Sequence, residues 1–221
     1  MSSNVLFVFA HLDDESFGPA GTIAKHVDHG DNVSVFVLCK GNRPGTDNVA
    51  VPRQDAFRQA CAIFGATPII GKHSDVFLDP ISANKDVMDV VNEFKPDIVY
   101  THNISDLHKD HRAVAEACVV ACRPKPECTV KQLLMCEIPA STEWAFGMVS
   151  PVFTPNVFKD VSKYMHMKRK ALELYETETY EFPDARSVKS MEVMAEFRGK
   201  QVGSHFAEAF QLVFSHDRKG E

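Results

Sequence analysis

The apolar run from Val5 to Ala10 stops at one block of charge, His11-Leu12-Asp13-Asp14-Glu15, after which come Gly18, Gly21 and a helical pattern from Thr22 to His29. An unbroken apolar run of that length reads as a strand covered on both faces. The block therefore sets an imidazole and three carboxylates at the carboxyl end of a first strand, where open α/β sheets bind ligands. Three acids in a row repel one another. Acidic residues in a first helical turn account for part of the pattern. A divalent cation accounts for more, because it takes imidazole and carboxylate ligands and supplies positive charge.

A second block repeats the arrangement. Asp106-Leu107-His108-Lys109-Asp110-His111 follows the strand-like run Pro96 to Tyr100 and precedes a helical pattern from Arg112 to Ala121. Two strand ends that each deliver His and Asp can converge on one ion.

Between and beyond these blocks, strand and helix patterns alternate. Helices are expected over Gly21 to Asp28, Arg53 to Phe64, Lys85 to Phe94 and Arg112 to Cys122, with strands over Val33 to Cys39, Pro68 to Gly71 and Gln132 to Ile138. Lys40 to Gly45 and Phe77 to Pro80 read as loops, and Phe146 to Phe158 as a loop or edge strand. Two further helices, Lys163 to Tyr175 and Met191 to Gly203, precede a closing segment, Ala209 to Phe214. Such alternation implies an α/β fold, a Rossmann-like three-layer sandwich with a mostly parallel sheet. With 221 residues, 44% of them hydrophobic, the chain suits one domain, 1–221.

Composition removes several function classes. A net charge of -6 argues against a nucleic-acid partner. No apolar run approaches the roughly 18 residues of a membrane span. Met1-Ser2-Ser3-Asn4 lacks the basic start of a signal peptide. The six cysteines form no C-x-x-C; Cys118 and Cys122 stand one helical turn apart with no second Cys/His pair nearby, so buried thiols in a reduced, cytoplasmic protein are expected. No G-x-G-x-x-G supports a dinucleotide, and no G-x-S-x-G supports a serine nucleophile.

A catalytic zinc site uses three protein ligands and keeps a position open. His11, Asp14 and His111 would supply two imidazoles and a carboxylate. Asp13 adjoins Asp14 but cannot easily point the same way, which frees it to act as general base. His108 would stabilise an oxyanion or protonate a leaving amine, as an imidazolium. Asp110 would orient an imidazole from behind. Arg53 opens a helix, where a cation is unfavourable against the dipole, which makes it a candidate substrate contact. His102, His26, His29 and His73 read as ordinary solvated or loop histidines, and Asp106 as a turn cap.

At these residues the chain resembles a known family. His11-Leu12-Asp13-Asp14-Glu15 resembles the A-H-P-D-D-E motif of the LmbE-like (PIG-L) family, zinc-dependent N-acetylglucosaminyl deacetylases related to the phosphatidylinositol-GlcNAc de-N-acetylase. His108-Lys109-Asp110-His111 resembles its second motif, H-x-D-H. Lys40-Gly41, Arg53, Gly65, Phe153 to Asn156, Arg198-Gly199 and Ala207 to Phe210 are similar to further family features. The resemblance implies one Zn2+ per chain on His11, Asp14 and His111, Asp13 as base, and His108 as acid or electrostatic stabiliser. It implies removal of acetyl from an N-acetylated amino sugar or its conjugate by metal-activated water, and it allows a homo-oligomer. Leu12 stands where the family has proline, and Phe206 where relatives often have tyrosine, with His205 as a substitute. Trp144 and Phe146 are candidates to stack on a sugar or to pack. The alternatives are a non-catalytic sugar- or nucleotide-binding module on the same fold, and a hydrolase of a different amide or ester.

Overall fold

Strand β1 (Asn4–Phe9) carries no polar side chain after its first residue, and the computed structural model, which describes residues 2–42, 50–76, 78–148 and 151–217, buries it near the middle of a sheet. Alternate residues of a strand face opposite sides, and both sides of β1 are covered. Val5, Phe7 and Phe9 join a core with Ile23, Phe57 and Leu172; Leu6 and Val8 join a second core with Val87 and Val114.

The chain continues through α1 (Asp14–Phe17), α2 (Ala20–Asp28), β2 (Asn32–Cys39), α3 (Ala50–Phe64), β3 (Thr67–His73) and α4 (Pro80–Phe94). It then forms β4 (Ile98–His102), α5 (Lys109–Ala121), β5 (Gln132–Cys136), β6 (Val157–Asp160), α6 (Met165–Glu173), α7 (Val188–Lys200) and β7 (Ala207–Ser215). Seven strands pair in the order β3-β2-β1-β4-β5-β7-β6. Strands β1 to β5 are parallel, and β7 runs antiparallel between β5 and β6. Helices α2, α3 and α6 cover one face and α4 and α5 the other. This is the expected three-layer α/β sandwich. Strand order reverses between β1 and β4, which opens a crevice at their carboxyl ends. No helix of the described residues is long and apolar enough to cross a membrane.

Several boundaries differ from the sequence reading for local reasons. Helix α4 begins at Pro80 rather than Lys85, because Asp79 accepts the Ser82 N–H at 2.9 Å and proline fits a first helical position. Helix α7 begins at Val188 rather than Met191, behind a Ser187 cap. The acidic block itself enters a short helix, α1. The tail of the 146–158 segment is the edge strand β6. Residues 43–49, on which part of the expected Lys40–Gly45 loop falls, and Phe77 lie outside the described residues.

Glu208 of β7 ties the layers together. Its carboxylate accepts the N–H groups of Gly21 (3.0 Å) and Thr22 (2.7 Å) at the start of α2 and pairs with Lys168 of α6 at 2.9 Å. Both side chains are buried. Removing one partner strands the other charge in a dry site. Glu208→Ala is therefore expected to lower the unfolding free energy by about 3–5 kcal/mol, read by urea denaturation.

Candidate active site

The site is built where β1 and β4 end. His102 is the last residue of β4; it is fully buried, and its Nε2 accepts the Ala10 N–H at 2.9 Å. That bond fixes the start of the acidic block, since His11 follows directly. The His11 N–H donates to Asp14 Oδ2 at 2.8 Å, which curls the block back on itself and into α1.

Three donor groups converge in the crevice. His11 Nδ1 lies 3.2 Å from His111 Nε2 and 3.6 Å from Asp14 Oδ2, and His111 Nε2 lies 3.3 Å from Asp14 Oδ1. The far nitrogen of each ring is held by a carboxylate: His11 Nε2 by Asp110 at 3.0 Å and His111 Nδ1 by Asp106 at 3.2 Å. A ring that donates its far N–H to a carboxylate presents a lone pair on the near nitrogen. Two such lone pairs and a carboxylate face one another here, an arrangement that repels itself unless a proton or a cation sits between them. The donor set therefore fits a divalent ion with imidazole and carboxylate ligands.

The electrostatics report the same demand. Burial disfavours charge on His11, but the Asp110 and Asp14 carboxylates outweigh it and raise the ring to about 9. His111 is likewise opposed by burial and raised to about 10 by Asp14 and Asp106. Burial would raise Asp14 and Asp106, yet the imidazoles beside them hold Asp14 well below the usual carboxylate range and bring Asp106 to about 2.

Two further histidines flank the centre and stay neutral. His102 stacks on His111 with centroids 3.9 Å apart, and burial and the His111 charge push it to about 4. Its Nε2 is engaged by Ala10, so it serves as a platform for His111 rather than as a ligand. The sequence reading of His102 as a solvated or loop histidine is corrected here. His108 lies 4.7 Å from the His11 ring and is lowered to about 4 by burial and by His11 and His111. Its Nδ1 accepts the Asp110 N–H at 3.2 Å, so the ring proton resides on Nε2 and the imidazolium expected from sequence is corrected to a neutral ring.

Asp13 has a different setting from its neighbour. Its φ of 139° lies in a region that costs a non-glycine residue on the order of 1–3 kcal/mol. The turn holds it there: the Ser16 and Phe17 N–H groups donate to its carbonyl at 2.9 Å each, and its own N–H donates to Glu15 Oε2 at 3.1 Å. Glu15 also accepts Tyr175 Oη at 2.7 Å, and burial pushes it up to about 7. Arg186 donates to Asp13 Oδ2 at 2.7 Å while stacking on the Phe17 ring at 3.9 Å. Burial raises the Asp13 carboxyl against the pull of Arg186.

These groups surround a cavity of about 140 Å³ whose walls include His11, Asp13, Asp14, His108, His111 and Arg186. Arg53 lines it as well, but its guanidinium is engaged by the protein, with Asp75 at 2.6 Å, the Leu12 carbonyl at 3.2 Å and Glu178 at 3.5 Å. Asp110 sits behind His11 and also accepts the Val76 N–H at 2.7 Å. Leu12 is fully buried, 2.8 Å from where a Cβ on Gly41 would stand, and Gly41 has φ of +86°. Phe206, His205, Trp144 and Phe146 do not line this cavity.

The sequence reading missed His102, Arg186 and the full part of Asp106. Asp106 does cap the turn, accepting the His108 N–H at 2.8 Å, but it also accepts Thr142 Oγ1 at 2.8 Å and a bond from Ser141 while holding His111. His102 carried only the signal of closing the strand β4, which does not state that β1 lies beside it. Arg186 carried none, because its loop has no pattern.

Comparison with known proteins gives the chain's family and its fold relatives. Residues 6–122 match the sequence model of the PIG-L family, described as GlcNAc-PI de-N-acetylase. The chain is 30% identical over 190 residues to the uncharacterized deacetylase YaiS of Escherichia coli K12, a match spanning 78% of this chain and 90% of that protein. It is 26% identical over 225 residues to the diacetylchitobiose deacetylase of Thermococcus kodakarensis, spanning 95% and 82%. Among solved structures, the 4-carboxy-2-hydroxymuconate hydratase GalB of Pseudomonas putida KT2440 superposes with a TM-score of 0.74 at 20% identity over 100% of both chains. That likeness is one of fold, and since a hydratase shares it, fold alone does not choose the reaction.

Arg186 is the cation hydrogen-bonded to Asp13, so Arg186→Gln should raise the Asp13 carboxyl further, read by carboxyl-carbon NMR titration. It should also lower stability at pH 7 by about 1–3 kcal/mol, because a buried carboxylate loses its donor. The loss should shrink as pH falls through the Asp13 value, where a neutral carboxyl no longer needs the cation.

Proposed function

The chain belongs to the PIG-L family of de-N-acetylases, and on that premise we propose that it is a zinc-dependent hydrolase that removes acetyl from an N-acetylated amino sugar or its conjugate. The observation that carries this reading is the set of three facing donors, His11 Nδ1, His111 Nε2 and the Asp14 carboxylate, each ring backed by a carboxylate. The whole chain is read as one such domain, working in the cytoplasm, where its free cysteines would stay reduced. The diacetylchitobiose deacetylase relative supports an amino-sugar substrate.

His11, Asp14 and His111 would hold one zinc ion per chain. Bound there, the ion would polarise the acetamide carbonyl and lower the pKa of water toward about 7. Asp13 accepts a proton from the attacking water, and its raised affinity for protons suits that task. Arg186 and the α1 turn keep its carboxylate aimed into the cavity. His108 faces the same cavity with its proton on Nε2, so it donates to the tetrahedral oxyanion as a neutral ring. Positive charge on its neighbours opposes a second proton there. The proton held by Asp13 then passes to the nitrogen as the C–N bond breaks, releasing acetate and a free amine.

Purified protein should carry about one zinc per chain and release amine from N-acetylglucosamine derivatives, and a chelator should abolish that release. Asp13→Ala should retain the metal and lose on the order of 10²–10⁴-fold in turnover; a wild-type rate would remove Asp13 as the base. Metal-loaded protein that releases no amine from any N-acetylated sugar would move the reaction to another amide or ester.

The carboxylates behind the rings give an independent check. Asp106→Ala should weaken metal affinity by about 10–100-fold, measured by competition with a chromophoric chelator.

A further inference from the structure

The catalytic cavity is small, about 140 Å³, and its described walls are almost wholly charged or polar. An acyl substrate needs one apolar surface there, because its carbon chain begins one bond from the carbon that water attacks. Among the described lining residues only Val76 and Ala140 offer it. Both carry a positive φ, 77° at Val76 and 66° at Ala140. For a β-branched residue such as Val76 that angle is a genuine outlier. Backbone outliers that their surroundings hold in place gather at active sites and ligand clamps.

The surroundings hold Val76 from both sides. Asp75, just before it, is buried; its N–H donates to the Asn42 carbonyl at 2.9 Å and its carboxylate pairs with Arg53 at 2.6 Å. The Val76 N–H donates to Asp110 Oδ2 at 2.7 Å, and the Leu78 N–H donates to Asp110 Oδ1 at 3.3 Å. Asp110 Oδ2 in turn lies 3.0 Å from His11 Nε2. The Val76 backbone is therefore fixed behind His11, while its half-exposed side chain forms part of the cavity wall. Ala140 stands on the His111 side, one residue before Ser141, whose hydroxyl donates to Asp106. A wall clamped in this way does not withdraw to admit a longer chain.

We propose that Val76 sets the size of the acyl group: with Ala140 it seats the methyl of an acetyl, and its own two methyls exclude longer chains. This rests on the deacetylase reading and narrows it at the acyl half of the substrate. The polar remainder of the cavity is left to the amide and to the groups that move its protons.

The test uses the full chain, zinc-loaded, with N-acetyl-, N-propionyl- and N-butyrylglucosamine, and kcat/KM is read from amine release. One methylene too many for a fitted pocket costs about 10–200-fold, so propionyl should trail acetyl by that margin and butyryl should trail further. Val76→Gly should bring the acetyl-to-propionyl ratio near unity, with Val76→Ala in between. Glycine adopts a positive φ freely and keeps the N–H that Asp110 accepts, so the loop retains its path. Acetohydroxamate and butyrohydroxamate, titrated calorimetrically against the same zinc-loaded proteins, read the choice without turnover. The acetyl form should bind more tightly to the wild type, and Val76→Gly should erase the difference. A Val76→Gly variant that loses rate on all three amides alike, with the ratio kept, shows only a support for Asp110 and overturns the proposal. A wild type that takes the three amides, or the two hydroxamates, without regard to length also overturns it, and turnover in that case leaves the deacetylase reading standing. Hydroxamate selection that Val76→Gly erases, with no amine released from any of the three sugars, supports the acyl seat and counts against the amino-sugar reading.

Discussion

Two nitrogen lone pairs and a carboxylate held within 3.2 to 3.6 Å of one another are the constraint on which the rest of this molecule turns. Left alone they repel, and burial strengthens the repulsion by removing the water that would screen it. The protein holds them there by bonding outward. Asp110 and Asp106 pull on the far side of the two rings, His102 backs His111 as a flat surface, and the Ala10 N–H fixes His102 in turn. What results is a stored preference for positive charge at one point, visible in the raised His11 and His111 and the lowered Asp14.

That arrangement is possible because the fold brings separate strand ends to one place. The block after β1 supplies His11 and Asp14, and the start of α5 supplies His111 and Asp110. The segment after β3 donates the Val76 N–H to Asp110, and the loop after β5 donates Ser141 and Thr142 to Asp106. Each of these pieces is short, and those after β1, β4 and β5 rest on strands buried on both faces, whereas β3 is a partly exposed edge strand. Position is thus set by the sheet, and charge by the loops that cross its edge.

How much of this could be read from sequence follows from the distance over which each feature is encoded. The strand Val5 to Ala10 and the helices after each block are local patterns of apolar spacing, and they appear where the pattern places them. The convergence of His11, Asp14 and His111 was legible because both blocks sit at strand ends, and strand ends of a parallel sheet meet. Asp110 was legible from its place beside a candidate ligand. Arg186 was not: it reaches Asp13 across 173 residues from a loop with no periodicity. His102 was read as a solvated or loop histidine because its burial depends on β4 lying beside β1, which no local pattern states. The boundary of α4 failed for a smaller reason, since apolar spacing begins later than the Asp79-Pro80 cap that starts the helix.

The adjacent aspartates show most clearly how environment assigns chemistry. Asp13 and Asp14 are the same residue type, one peptide apart, both buried. Asp14 turns toward three imidazoles and is held ionised, fit to bind a cation and unfit to take a proton. Asp13, through a backbone angle that few non-glycine residues adopt, turns the other way, meets the Arg186 guanidinium at 2.7 Å and that of Arg53 at 3.9 Å, and is still left by burial with a raised affinity for a proton. Two titratable groups pushed apart in this manner are the pattern expected of an acid–base pair with divided roles. The strained φ at Asp13 accompanies that division: one carboxylate faces imidazoles, the other guanidinium groups.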